Sequence, residues 1–136
     1  MAKEFALNVV APDRSVVEEN VSAVVAPGTS GYFGVWADHL PLVAALKPGL
    51  LEYTDAAGQR HFVYVGGGFV EMRANKMTVL ADEASRAKDI DLSRAEADLE
   101  TARRALRGED TEMSEEQAVQ EVEKAIQRIR AARSVR

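Results

Sequence analysis

Ser30, Asp38 and His39 lie close enough in sequence to suggest nucleophilic chemistry, and His39 and His61 are the two imidazoles of this chain. A serine–histidine–aspartate set would draw on Ser30, Asp38 and His39. However, no Gly-x-Ser-x-Gly elbow surrounds Ser30, and the adjacent Asp38 and His39 would face opposite sides of a strand. A metal site needs three or four convergent ligands, and the chain offers two histidines and no cysteine. His61 alternates with Phe62 and reads as a solvated or hydrogen-bonded strand residue. Gly66-Gly67-Gly68 resembles a phosphate loop only superficially: no Gly-Lys-Ser/Thr follows, and the next element is the strand Phe69-Val70-Glu71-Met72 rather than a helix. A bulge or tight crossing of backbones is the expected use of these glycines. Gly28, Gly31 and Gly34 read as turn glycines. The residue set predicts no enzyme, no metal and no cofactor.

The cationic side chains are the remaining candidates. Lys124, Arg128, Arg130, Arg133 and Arg136 are the only charged residues of the last thirteen, whereas residues 82–123 hold fourteen acidic and six basic residues. This segregation has two readings. The basic end is a solvated surface that also compensates a helix C-terminus, or it docks on an acidic protein surface. The overall formal charge of -5 argues against a nucleic-acid binder. No apolar run approaches the roughly 18 residues of a membrane helix, and Lys3-Glu4 falls where a signal peptide would be apolar. With no cysteine, a soluble protein of a reducing compartment is expected. Asn20-Val21-Ser22 then has no glycosylation role.

Two kinds of element must position these residues within 136 residues, 46% of them hydrophobic. Residues 1–81 contain every aromatic residue, every proline and all glycines but Gly108. Phe5, Leu7 and Val9 alternate up to Pro12-Asp13. Val21–Ala26, Leu50–Thr54, Gln59–Val65, Phe69–Arg73 and Lys76–Leu80 follow as short strands between turn residues, which predicts an antiparallel sandwich or barrel. Residues 82–136 change period. Leu92, Ala95, Leu99, Ala102 and Leu106 form one helical stripe, and Val119, Val122, Ile126 and Ile129 a second. Asp91 is placed as an N-cap, Gly108 as a left-handed C′ residue, and Ser114 with Gln117 as a capping box. The prediction is an α+β protein: an N-terminal antiparallel β-sandwich over 1–81, then a C-terminal antiparallel helical hairpin over 82–136. Half of the first stripe is alanine, so the hairpin is expected to dock weakly and to be able to move.

The segment from Val24 to Gly49, with Gly31, Gly34, His39, Pro41, Leu42 and Gly49, resembles the signature of the epsilon-subunit family of F-type ATP synthases. Gly67-Gly68-Phe69-Val70-Glu71 is similar to the family's second signature, and Thr78-Val79-Leu80-Ala81 to its last strand. The resemblance spans essentially the whole chain. It implies a non-catalytic rotor subunit at the foot of the central stalk, beside the gamma subunit and on the membrane ring of proton-carrying subunits. It further implies coupling of ring rotation to ATP synthesis at the alpha–beta interfaces, with inhibition of ATP hydrolysis common among bacterial members. The location implied is peripheral, on the cytoplasmic face of the bacterial inner membrane, reached through the complex.

By position, the resemblance puts Ser30, Tyr32 and His39 in the surface facing the ring and gamma. Several relatives carry carboxylates where this chain has Ser30 and Tyr32, so an apolar or hydrogen-bonded contact would replace a charged one. Ile90-Asp91-Leu92-Ser93-Arg94-Ala95 matches a motif through which some relatives bind ATP as a regulatory ligand. Thr101 and Ser85 stand where those relatives have an arginine and a glutamate. Asp91 as a simple cap and Arg94 as a salt-bridge partner fit the same residues. In the family's inhibitory state the hairpin extends; two helices of about 17 residues would span roughly 50 Å. Lys124, Arg128, Arg130 and Arg133 would then meet acidic segments of the beta subunit. The alternative from another class is a free nucleotide-sensing module acting on an unrelated partner.

Overall fold

The computed structural model describes residues 3–109 and 112–135; Met1, Ala2, Asp110, Thr111 and Arg136, the last of the terminal basic residues, lie outside them. Seven strands come first: β1 (Phe5–Ala11), β2 (Arg14–Gly28), β3 (Gly31–Trp36), β4 (Leu42–Asp55), β5 (Arg60–Arg73), β6 (Lys76–Ala81) and β7 (Ala84–Arg86). A 3-10 turn at Ala87–Asp89 leads into α1 (Leu92–Leu106) and α2 (Glu115–Ser134). The sheet order is β1-β6-β5-β4-β2-β3, and β1 also pairs with the first half of β2, closing the sheet into a flattened barrel. Every pairing is antiparallel except β1–β6, which is parallel. That departure from an all-antiparallel sandwich is forced by closure. The ring β1-β6-β5-β4-β2 has an odd number of strands, and directions cannot alternate all the way around it.

The strands are longer than the sequence pattern predicts. Val21–Ala26 and Leu50–Thr54 lie in the second halves of β2 and β4, and Gln59–Val65 with Phe69–Arg73 falls almost entirely in the single strand β5. Pro48-Gly49 and Gly66–Gly68 lie inside β4 and β5, whereas Pro27-Gly28 closes β2. β5 pairs with β7 over Val63–Val65, then with β6 from Gly68 to Arg73, and Gly66–Gly68 carries the change of neighbour. Gly67 and Gly68 have φ of +95° and +134°. A Cβ on Gly68 would lie 2.1 Å from the Leu80 carbonyl oxygen, so this is the expected tight crossing. Gly31 and Gly34, expected in a turn, belong to β3; only Thr29-Ser30 forms the loop, between the paired Gly28 and Gly31.

Alternation in β1 buries Phe5, Leu7, Val9 and Ala11, which meet Val21, Val24, Leu51, Tyr53, Met72, Met77 and Val79 inside the barrel. This is one apolar core, built because each strand puts every second apolar residue inward.

The helix ends follow their residues closely. Asp91 Oδ1 accepts the Arg94 amide at 3.2 Å. At the other end Gly108 has φ +77°. Its amide and that of Glu109 donate to the Ala105 and Arg104 carbonyls at 3.0 Å, a Schellman ending. Ser114 and Gln117 form a full capping box. The stripes are corrected, however. The side chains buried along the hairpin are Ala95, Ala102, Ala105, Ala118, Ala125, Ala131, Ala132 and Ile129, while Leu106, Val119 and Ile126 are exposed. Alanines let the helix axes come close, so the seam rotates toward them and the larger apolar residues turn outward. Toward the sheet, Ala131 and Ala132 pack with Leu50, Tyr64, Ala87 and Ile90.

Candidate functional site

The surface offers a strip, a pocket and a clasp. The strip lies on the outer face of the sheet. Phe69 on β5 pairs with Leu80 on β6 and Ala45 on β4, and Leu80 pairs with Val10 on β1. Directly paired residues share a face, so these four make an apolar row across four strands, with Val43 two residues from Ala45 on the same side. Phe69, Leu80 and Val43 are 60%, 58% and 74% exposed. Their neighbours Val70, Met72, Met77 and Val79 fill the core, so this stretch of sheet is apolar on both sides. Consecutive apolar residues such as Phe69-Val70 and Val79-Leu80 carry that signal in the sequence, since a one-faced strand would alternate.

The residues expected to face the ring and gamma fall at two separate places. Ser30 sits in the tight loop between β2 and β3, where the Thr29 amide donates to the Ala45 carbonyl at 3.0 Å. Tyr32 is not a free loop residue. Its hydroxyl accepts the Leu50 amide at 3.2 Å, across the side-chain-free Gly49, and Lys47 Nζ lies 5.9 Å from its ring centroid. His39 lies beyond the other end of β3, with Nδ1 2.7 Å from the Leu40 carbonyl oxygen. Five residue steps along an extended strand separate Gly31 from Trp36, about 17 Å. Ser30 and His39 therefore cannot share one contact, nor can they join with Asp38 in a catalytic set. Asp38 itself, with φ +61°, takes the Asn75 side-chain oxygen on its amide at 2.8 Å and Lys3 on its carboxylate at 3.2 Å.

His61 is hydrogen-bonded, as its place in the strand suggested. Nε2 lies 2.7 Å from Asp55 Oδ2, and the ring stacks on Tyr53 with centroids 4.8 Å apart. The His61 contact, then the Gln59 amide, hold the Asp55 carboxyl below its usual range. Tyr53 donates to Glu19 at 2.6 Å and accepts from Arg86 at 2.9 Å. Burial first, then the bond to Glu19, pushes the Tyr53 phenol up to about 12, while the same bond lowers Glu19. The network ties β2, β4, β5 and β7 together. Among the described residues, no group of three or more histidines and acids is arranged to hold a metal.

The pocket, about 280 Å³, brings Asp91 and Arg94 of the nucleotide-like motif together with Arg128, and is also lined by Ser85, Asp89 and Asp98. Both arginines are engaged. Arg94 Nε meets Asp98 Oδ1 at 3.3 Å, and Arg128 Nη2 meets Asp98 Oδ2 at 3.6 Å. Thr101 donates back to the Ala97 carbonyl of its own helix at 3.1 Å.

The clasp is centred on Arg128. Its Nη1 lies 3.1 Å from Glu83 Oε1 and 3.5 Å from the Tyr64 hydroxyl, and its guanidinium carbon is 5.6 Å from the Tyr64 ring centroid. Tyr64 donates a short hydrogen bond to the same Glu83. Burial, then that bond, raises the Tyr64 phenol strongly. Of the expected basic contacts, Arg128 thus faces inward. Arg130 bonds Gln127 at 3.3 Å, Lys124 lies 3.9 Å from Glu121, and Arg133 lines a groove between the helices with Glu96 and Glu100. Glu83, Tyr64 and Asp98 have no spacing that singles them out in the sequence, because the chain brings them together only by docking.

Residues 4–87 match the family model described as ATP synthase, Delta/Epsilon chain, beta-sandwich domain. The chain is 50% identical over 95 residues to the ATP synthase epsilon chain of Nitratidesulfovibrio vulgaris strain Miyazaki F, covering 70% of each. To the epsilon chain of Desulforamulus reducens strain MI-1 it is 41% identical over 132 residues, covering 97% of this chain and 99% of that one. In fold it is similar to a chain of the Euglena gracilis mitochondrial ATP synthase, with a TM-score of 0.73 and 24% identity over 97% of this chain and 81% of that one.

Proposed function

The chain belongs to the ATP synthase epsilon-chain family, and from that premise we propose that it is a non-catalytic rotor subunit that docks on gamma through the Val43–Phe69–Leu80 strip and regulates hydrolysis through its hairpin. The strip carries the proposal. A solvent-facing apolar row on a sheet already filled on its other side stabilises nothing in the isolated chain and suits a protein partner. The Ser30 loop, beside Ala45 at one end of that face, would meet the membrane ring, and His39 at the other end would meet gamma. Rotation of the ring would reach the alpha–beta catalytic interfaces through this closed barrel, whose close-packed apolar core resists deformation. No helix among the described residues is long and apolar enough to cross a membrane. Attachment at the cytoplasmic face of a bacterial inner membrane would then come through the complex.

Inhibition of hydrolysis is the hairpin's part. Leu106, Val119 and Ile126 face outward in the docked state and would be buried against alpha, beta and gamma once the helices extend, with Lys124, Arg128, Arg130 and Arg133 meeting acidic segments of beta. Co-purification with gamma tests the strip: Phe69→Asp should weaken capture at least tenfold, and undiminished capture overturns it. Deleting 113–136 should raise hydrolysis by the reconstituted complex, and an unchanged rate removes the inhibitory part.

A regulatory nucleotide is the second reading, favoured by the pocket that gathers Asp91, Arg94 and Arg128. A phosphate entering it must displace Asp98 from both arginines, which weakens any such binding. Slower exchange of hairpin amides on adding ATP is the observation it requires. It would also be the whole function of a free nucleotide sensor, which has no use for the apolar strip.

A further inference from the structure

We infer that Arg128 is a latch with two mutually exclusive uses: clasped by Glu83, Tyr64 and Asp98 it holds the hairpin down, and only when released can it serve an acidic partner. The inference rests on the regulatory part of the proposed function and assigns the residues that control it.

Arg128 differs from the other basic residues of α2 in what it touches. Its side chain is 18% exposed and reaches three elements: Tyr64 on β5, Glu83 in the β6–β7 link and Asp98 on α1. Asp98 also holds Arg94, so the same group draws in the start of α1. Lys124 meets Glu121 and Arg130 meets Gln127, both partners on α2 itself, so among the described residues neither contact has to let go of the sheet for the hairpin to leave. The remaining docking contact is made largely by the two small side chains Ala131 and Ala132. Glu83 and Asp98 are 44% and 40% exposed, so the contact is shielded mainly on the arginine side, and a charge-assisted contact shared among several partners is stronger than a single exposed pair. Arg128 is accordingly a directional, charge-assisted tie between hairpin and sheet.

Gly66 makes the clasp possible. A Cβ there would lie 2.3 Å from Glu83 Cγ and 2.7 Å from the Tyr64 hydroxyl oxygen. Any side chain at 66 drives Glu83 aside and takes away the carboxylate that Arg128 needs. Unlike Gly67 and Gly68, Gly66 has no positive φ, so the need at this position is space. The first glycine of the triplet thus serves the hairpin, while the other two bend the strand.

The test uses the full chain and the reconstituted complex. In the full chain, Glu83→Gln, Gly66→Ala and Arg128→Gln should each speed amide exchange across 115–134 about tenfold, the loss expected for a charge-assisted contact, with strand amides unchanged. In the complex, Glu83→Gln and Gly66→Ala should lower ATP hydrolysis, because the freed hairpin still carries Arg128. Arg128→Gln frees the hairpin equally but should lower hydrolysis clearly less, because only Lys124, Arg130 and Arg133 remain to meet the acidic partner. Unchanged exchange in Glu83→Gln overturns the latch. Equal hydrolysis by Glu83→Gln and Arg128→Gln overturns the second use of Arg128. If deletion of 113–136 leaves hydrolysis unaltered while Glu83→Gln still speeds exchange, the inhibitory reading falls and the clasp stands. Should Gly66→Ala fail to fold, Glu83→Gln, which changes no backbone, decides alone.

Discussion

The barrel and the hairpin are both built around small or apolar residues, yet they are held by different forces. In the barrel, Leu7, Leu51, Met72 and Met77 are fully buried, and the strands around them hydrogen-bond into a closed ring. In the hairpin, the buried face is mostly alanine, and each buried methyl contributes only about 0.8 kcal/mol. The barrel's stability is thus spread over many large side chains, whereas the hairpin's attachment is concentrated at one end of α2 and in one ionic cluster. The proposed regulation would use both kinds of contact, since elements that move are drawn from the weakly held parts of a molecule.

The largest expected effect strikes the barrel. Gly68→Ala places a methyl group against the Leu80 carbonyl at a φ of +134°, and should cost at least about 3 kcal/mol. Urea unfolding followed by far-UV dichroism measures this, and a wild-type midpoint would break the contrast at its firmest point. Ala125→Leu acts on the other region. Ala125 is fully buried in the helix seam, and the added volume should cost the hairpin about 2 kcal/mol. Helical signal should then be lost in a separate, earlier melting step, with the strand transition in place; a single shared transition would show that the two regions are more tightly coupled. The smallest effect is on pH. Tyr53, then Arg86, lowers the Glu19 carboxyl below its ordinary 4.5. The stabilisation is therefore full above that value and is lost as pH falls through the lowered folded value. Glu19→Gln should flatten the acid limb of the barrel's stability curve while leaving hairpin exchange alone.

Local structure was largely written in local residues. Asp91, Gly108 and Ser114-x-x-Gln117 start and stop the helices as their side chains dictate, and the alternation of Phe5, Leu7 and Val9 names the buried face of β1. These features depend on contacts within a few positions along the chain. The errors have a common cause. Gln59–Val65 and Phe69–Arg73 read as two strands because three glycines in a row weaken pairing when taken alone; in the barrel Gly66–Gly68 is a tight crossing inside one strand that continues with a new neighbour. The three- and four-residue spacing places Val119 and Ile126 on the inner stripe, but close helix packing selects alanine and leaves both exposed. For the site, the strip was partly legible in the doubled apolar residues Phe69-Val70 and Val79-Leu80, and the basic run of α2 was plain.

By itself the sequence determined the two-part α+β plan, the caps, the inward face of the first strand and the family, because all of these rest on short-range spacing or on contiguous motifs. Tertiary structure alone decided that β1 and β6 run parallel, that Ser30 and His39 lie apart, and that Arg128 turns inward to Glu83, Tyr64 and Asp98. Closing an odd ring of strands and docking a helix across it bring together residues separated by tens of positions, and no periodicity along the chain encodes such meetings.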